Sequence, residues 1–211
     1  MTTVEPFRIV AVSAGLSQPS STRLLADRLT DATRRSLADR SPRPVDIQVV
    51  ELRELAVDIA HNLVTGFPGP ALRAAVEAVT GADGVIAVTP IFSASYSGLF
   101  KSFIDIIDNT ELVAKPVLIG ATGGTARHSL ALEHALRPLF AYLCSHVVRT
   151  AVFAASEDWG AGDVQSDTLG TRIIRAGEEL AELMLQQPGR AAADDAVVPF
   201  EQQLTRLRIS H

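Results

Sequence analysis

The stretch "TPIFSASYSGLFKSFID" (residues 89–105) indicates which fold this chain adopts. Its first residues close the apolar run "GVIAVTP" (residues 84–90), and such a run predicts a strand that is buried on both faces. Its last residues begin a helical pattern that starts at Tyr96 or Ser97 and extends to Asp108. A strand that turns directly into a helix predicts one β-α unit of an α/β protein.

The rest of the chain repeats this alternation of strands and helices. Apolar runs predict four more strands, at residues 7–15, 45–52, 115–124 and 146–154. Helical spacing predicts one helix that is capped within residues 20–22 and reaches residue 37, and others at residues 70–81, 128–143 and 168–185. Five such units predict a parallel sheet with helices on both faces.

Composition limits the classes of function. With 211 residues and 47% apolar content, we expect one domain over residues 1–187, followed by a tail at residues 188–211. A net charge of -5 and the lack of any Lys/Arg cluster argue against a nucleic-acid partner. No apolar run reaches the roughly 18 residues that cross a bilayer, and no signal peptide is apparent. We therefore expect a cytoplasmic protein without a membrane partner.

The single cysteine, Cys144, is predicted to be a small buried hydrophobe near the end of a helix.

In an open parallel sheet, ligands bind outside the carboxyl ends of the strands, so the loops after the apolar runs are the candidate site. The first of them, "SAGLSQPSSTRLL" (residues 13–25), joins the first strand to the first helix, and we call it the phosphate loop. Hydroxyls and a helix N-terminus together suit a phosphate group. The candidate ligands are Ser13, Ser17, Gln18, Ser20, Ser21 and Thr22. The alternative is an ordinary N-cap in a polar turn.

The second loop supplies an apolar surface. Pro90, Ile91, Phe92 and Ser93 leave the third strand, and Ile91 and Phe92 would be exposed unless a flat group covers them. A planar ring system with hydrogen-bonding edges satisfies both the apolar side chains and the small polar residues beyond them. The alternative is a helix start that is capped by Ser93, Ser95 or Ser97, with Phe92 packed into the core.

The third loop, "GATGGTARH" (residues 120–128), follows the fourth strand. Thr122, Gly123 and Gly124 allow the backbone to approach a ligand closely. Arg127 and His128 lie at a helix start, where acidic residues are usual, so we expect them to face an anionic group. The alternative is that both are solvated or contact another subunit. Together the three loops offer a phosphate site, an apolar platform and a glycine-lined wall, which fits flavin mononucleotide (FMN).

The same residues carry a resemblance to a known family. "SYSGLFKSFID" after "TPIFSA" resembles the signature of NADPH-dependent FMN reductases with the flavodoxin-like fold. The phosphate loop and the Thr122–Gly124 stretch resemble the two other flavin loops of that family, and the likeness extends over residues 7–185. Two departures stand out: Phe92 replaces a tyrosine found in many relatives, and Leu16 and Ser17 replace a Gly-Ser-x-Arg arrangement.

The resemblance implies a flavodoxin-like doubly wound sheet of five strands in the order 2-1-3-4-5. It implies hydride transfer from NADPH or NADH to FMN, with the chemistry supplied by the cofactors, so neither a catalytic residue nor a metal site is predicted. The chain is similar to the reductases that supply reduced flavin to luciferase-like or alkanesulfonate-type flavin monooxygenases. The resemblance therefore implies such a monooxygenase as a partner, and a homodimer or homotetramer as the assembly. The loop at residues 154–167, with Trp159, is either a lid or an ordinary capped loop.

Three rival functions stay open at this point. A quinone, azo-dye or metal-ion reductase of the same fold would use the same flavin site. A non-catalytic flavodoxin-like electron carrier is disfavoured because only 5% of residues are aromatic and the charge is mild. A third alternative is an α/β binding module without flavin.

Overall fold

The computed structural model describes residues 5–159 and 169–187, so the predicted tail and residues 160–167 of the predicted Trp159 loop lie outside it. Long apolar runs form the strands of the sheet. These are β1 (Phe7–Ser13), β2 (Val45–Glu51), β3 (Gly84–Phe92), β4 (Ser95–Tyr96), β5 (Pro116–Gly123), β6 (His146–Val147) and β7 (Val152–Ala155).

Amphipathic segments form the helices between the strands. These are α1 (Ser21–Arg40), α2 (Ala56–Thr65), α3 (Pro70–Thr80), α4 (Gly98–Ile104), α5 (Arg137–Tyr142) and α6 (Leu169–Gln186). Among the described residues, no helix has the length and the apolar character needed to cross a bilayer.

The sheet has the predicted parallel order. Its strands run β2-β1-β3-β5, and the position beyond β5 is shared by β6 and β7, which both pair with β5 in parallel. Strand β4 is an antiparallel addition to the end of β3. The flavodoxin-like doubly wound topology is therefore confirmed, with its fifth strand in two pieces.

Two apolar layers cover the sheet, one on each face, as predicted. One layer joins the sheet to α2, α3, α4 and α5, with Phe100, Phe103 and Phe140 at its centre. The other joins the sheet to α1 and α6, where Leu25, Leu29 and Leu180 are fully buried. Both layers hold the carboxyl ends of β1, β3 and β5 side by side at one edge of the molecule.

Several predicted elements differ from those observed. The predicted fifth strand, residues 146–154, is interrupted because Glu179 binds the backbone N–H of Thr150 at 2.7 Å, while Arg137 binds the carbonyls of Val148 and Arg149. The predicted helix at residues 128–143 is a 3₁₀ turn (Ala126–His128), a π-helical turn (Leu132–Leu136) and α5. The helix after β3 ends at Ile104, four residues before the predicted end.

The predicted place of Cys144 near the end of a helix is confirmed, but its predicted burial is wrong. Its side chain is exposed, and its backbone has φ of 54°. The N–H groups of Cys144 and Ser145 return to the carbonyls of Ala141 and Phe140, which is the Schellman arrangement that ends a helix. The position at the helix end, and not apolar burial, therefore determines where Cys144 lies.

Candidate functional site

The phosphate loop is held close to the start of α1. Ser20 is the N-cap, and its Oγ accepts from the backbone N–H of Arg23 at 3.2 Å. A Cβ on Gly15 would lie 2.0 Å from that oxygen, so only glycine permits this approach. The first turn of α1 contains no acidic residue, and its free N–H groups and dipole therefore suit an anion.

A pair of threonines connects α1 to β5. Thr22 Oγ1 and Thr122 Oγ1 lie 2.8 Å apart, and both residues are buried. This hydrogen bond fixes the phosphate loop against the glycine-lined wall. Ser13, at the end of β1, is also buried, and within the described part of the chain its Oγ has no hydrogen-bond partner.

The serine-rich stretch after β3 forms a tight hairpin before α4. Ser93 and Ala94 have φ of 48° and 69°, and Phe92 pairs with Ser95 across this two-residue turn. Two positive φ values identify a type I′ turn, which normally uses Asn or Gly. The hairpin ends at Ser97, whose N–H donates to the buried Thr89 Oγ1 at 3.1 Å.

Ser97 also starts the helix that follows. Its Oγ accepts from the backbone N–H of Phe100 at 3.2 Å, which makes Ser97 the N-cap of α4. The small hydroxyl residues thus close the hairpin and cap the helix, while Phe92 stays 49% exposed at the edge of the strand. The alternative is therefore confirmed for the cap at Ser97 but wrong for the packing of Phe92 into the core.

The ends of β1, β3 and β5 enclose a cleft of about 340 Å³. Nine of the predicted site residues line it: Ser17, Ser21, Thr22, Pro90, Ile91, Phe92, Thr122, Gly123 and Gly124. All three predicted loops therefore meet at one site. One wall is polar, with the N-terminus of α1, and the other is apolar, with Ile91 and Phe92.

The remaining predicted residues do not line this cleft. Ser13 lies below it in the sheet, and Ser93 is exposed at the hairpin tip. Gln18 and Ser20 face a neighbouring pocket of about 300 Å³ on the outer side of the phosphate loop. Arg127 and His128 are exposed on the 3₁₀ turn after Gly124.

Sequence reasoning missed two residues of the cleft and a group of charges beside it. Leu16 and Ser156 line the cleft, and Ser156 directly follows β7, where the strand-end rule would have found it.

Arg23, Arg53 and Glu51 form an ion-pair cluster at the outer side of the phosphate loop. The hydrogen bond to Asp27, aided by Glu51, raises the pKa of Arg23 above its ordinary value. No local pattern in the sequence brings Arg53 to this loop.

A larger groove of about 440 Å³ lies between α1 and α6, away from the strand ends. Its rim contains both signs of charge, including Asp31, which pairs with Arg34 at 2.7 Å and also with Arg35. Among the described residues, those that line this groove belong to α1 and α6, and none of them lies at the end of a strand. The smaller cleft is therefore the better candidate for the functional site.

Comparison with known proteins shows which chains this one is similar to. Residues 7–160 match the family model described as NADPH-dependent FMN reductase. An FMN reductase (NADPH) of Pseudomonas aeruginosa is 36% identical over 178 residues, covering 84% of this chain and 92% of the relative. The NADH-dependent FMN reductase SfnF of Pseudomonas fluorescens is 34% identical over 179 residues, with the same coverage of 84% and 92%.

Solved structures show the same fold. An oxidoreductase from Corynebacterium diphtheriae superimposes with a TM-score of 0.83 at 40% identity, covering 87% of this chain and all of that one. A WrbA-like flavodoxin from Agrobacterium tumefaciens has a TM-score of 0.57 at 16% identity, which shows a shared fold alone.

Proposed function

Because this chain belongs to the family of NADPH-dependent FMN reductases, we propose that it binds FMN in the cleft at the ends of β1, β3 and β5, where NADPH or NADH reduces it. The observation that supports this most directly is the cleft itself, which has the N-terminus of α1 at one end and the exposed Phe92 at the other. Bound FMN supplies the redox chemistry by accepting a hydride from the nicotinamide.

The phosphate of FMN fits the polar end of the cleft. Ser17, Ser21 and Thr22 offer hydroxyls there, and the first turn of α1 offers N–H groups. At the end of β1, the buried Oγ of Ser13 has no partner among the described residues and can donate a hydrogen bond. Gly15 allows Ser20 Oγ to come close to the backbone of the loop. Ser20 contributes indirectly, since its Oγ caps the helix.

The ring system fits the apolar end. Ile91 and Phe92 form one side, and the backbone of Pro90 and the hairpin at Ser93 form its edge. Gly123 and Gly124 form the opposite wall. A Cβ on Gly124 would meet nothing within 4 Å, so the wall is open at that point. This arrangement positions a flat ligand and excludes water from its apolar face.

Arg127 and His128 follow that wall on the exposed 3₁₀ turn. Their position outside the cleft suits the phosphates of the nicotinamide dinucleotide, or negative charge on reduced flavin, better than the phosphate of FMN. We assign them to the outer edge of the site. Substitution of Arg127 by Gln should therefore raise the KM for NADPH more than the Kd for FMN.

The reduced flavin serves a second protein in this proposal. SfnF is named as a reductase of FMN itself, and the cleft of this chain opens to solvent beside Phe92. We propose that a flavin-dependent monooxygenase in the cytoplasm receives the reduced FMN, and that the reductase is a homodimer or homotetramer. A quinone-type reductase with permanently bound FMN is the alternative.

Steady-state kinetics with increasing free FMN test the proposal. The oxidation of NADPH and of NADH should saturate with FMN, and free reduced flavin should accumulate without oxygen. If FMN binds but added FMN gives no turnover, while a quinone or azo dye does, the alternative is correct. Failure to bind FMN would refute the flavin site itself.

A further inference from the structure

A cluster of charges lies on the outer side of the phosphate loop. Glu51, the last residue of β2, accepts from Arg23 Nη1 with one carboxylate oxygen and pairs with Arg53 Nη2 at 3.3 Å with the other. The Glu51 side chain is only 19% exposed, so water screens these ion pairs less than pairs on an open surface. One carboxylate therefore holds two guanidinium groups.

Arg53 contacts the phosphate loop, and Arg23 belongs to it. Arg53 Nη1 donates to the carbonyl of Ser17 at 3.5 Å. When the side-chain amide of Gln18 is oriented with its oxygen toward Arg53, this oxygen accepts from the same Nη1 at 2.9 Å. The backbone N–H of Arg23 donates to Ser20 Oγ. Ser17 lines both the cleft and the outer pocket, so only the thickness of the loop separates the arginines from the cleft.

The positive charge of these arginines is compensated. Asp27 pairs with Arg23 at 2.7 Å, and Glu54 lies 3.8 Å from Arg53, in addition to the shared Glu51. A phosphate monoester carries about 1.5 to 2 negative charges at neutral pH. A loop with neutral donors and compensated arginines attracts that charge less than the same loop with free arginines would.

We propose that Glu51 is a positioning residue that keeps Arg23 and Arg53 in ion pairs on the outer side of the phosphate loop and so limits the affinity for the phosphate of FMN. This inference rests on the proposed function, because it concerns the same cleft. Its consequence is rapid exchange of flavin, which a reductase that supplies another protein requires.

The Glu51→Gln variant tests this directly through the Kd of FMN, measured by quenching of flavin fluorescence. Removal of one negative charge near the phosphate should lower the Kd roughly two- to fivefold at about 0.01 M salt, and the difference should disappear near 1 M salt. The KM for FMN should fall in parallel, with kcat unchanged or lower. The affinity for riboflavin, which lacks the phosphate, should not change.

Two further variants serve as controls. Glu54→Gln removes the same charge from a side chain that is 70% exposed, and it should change the Kd much less. Glu51→Gln combined with Arg53→Gln should return the Kd toward that of the wild type. If Glu51 only stabilises the conformation of the loop, Glu51→Gln will weaken the binding of FMN and of riboflavin to the same extent. The proposal is then wrong.

The outcomes separate the two proposals. If wild type and Glu51→Gln bind FMN with the same Kd at low salt, the role of Glu51 is refuted and the flavin site stands. If neither protein binds FMN, the proposed function falls, and with it the role of Glu51.

Discussion

The hydroxyls of Thr22 and Thr122 lie 2.8 Å apart although 100 positions separate them in the chain. One belongs to the first turn of α1 and the other to the end of β5, so their hydrogen bond joins the two walls of the cleft. Both residues are almost fully buried. The geometry of the candidate flavin site therefore depends on this pair.

Replacement of either threonine by valine should destabilise the protein by about 1 to 3 kcal/mol, because the remaining hydroxyl is buried without a partner. The double variant Thr22→Val and Thr122→Val should recover most of this loss, since it removes both polar groups. Urea unfolding of the four proteins gives the coupling free energy. Additive losses in the double variant would contradict a direct bond between the two hydroxyls.

Gly15→Ala should impair the phosphate loop, because the new Cβ would collide with Ser20 Oγ. The N-cap would have to move, and loss of a cap costs about 1 kcal/mol. We expect a lower Tm and at least a tenfold weaker affinity for FMN, roughly the effect of 1.4 kcal/mol.

The matched control is Gly98→Ala, at the first position of α4. A Cβ there meets nothing within 4 Å, and alanine favours a helix over glycine. Its Tm should stay the same or rise, with an unchanged affinity for FMN. Equal effects of both substitutions would show that the contact at Gly15 is not the cause.

Ala94→Gly should stabilise the hairpin. Ala94 has φ of 69°, and a non-glycine residue in this region costs about 1 kcal/mol or slightly more. Glycine in an unfolded chain has more freedom, which reduces the gain to about 0.5 kcal/mol. Ala74→Gly, on the exposed side of α3, is the control and should destabilise by about 1 kcal/mol. A loss of stability in both variants would contradict the turn type.

The ion pair between Glu133 and Arg137 should make stability depend on pH. The hydrogen bond from Arg137 lowers the pKa of Glu133 below its ordinary value. A carboxylate with a lowered pKa in the folded state stabilises the protein above its unfolded pKa of about 4.3, and this stabilisation is lost as the pH falls through the folded pKa.

Glu133→Gln should therefore destabilise the protein by less than about 1 kcal/mol at pH 7, a small value because the pair is partly exposed. The difference from wild type should shrink as urea unfolding is repeated down to about pH 3. The exposed Glu111→Gln is the control. A difference that stays constant over this range would refute the role of the charge.

Much of the sheet could be predicted because three of its strands are almost entirely buried. The apolar runs at β1, β3 and β5 stand out for this reason, and the strand-end rule then brings the three loops together. Nine of the predicted residues meet in one cleft as a result. Their chemical roles remain predictions until FMN binding is measured.

Other elements gave no clear periodic signal. Helix α2 was missed because Ile59 is its only fully buried residue, while Val57 and Val64 are exposed apolar residues that obscure its amphipathic pattern. The hairpin at Ser93 and Ala94 lacks the Asn-Gly sequence typical of its turn. The cluster of Arg23, Glu51 and Arg53 joins distant parts of the chain, and local sequence patterns do not report such contacts.

The interrupted end of the sheet also affects how two copies of the molecule can meet. Within residues 5–159 and 169–187, the sheet beyond β5 offers another strand only the two residues of β6 and the four residues of β7. Arg137 and Glu179 occupy the backbone groups between them. An unfolded chain or a second molecule thus finds no long row of free N–H and C=O groups there, which protects this edge against strand addition and aggregation.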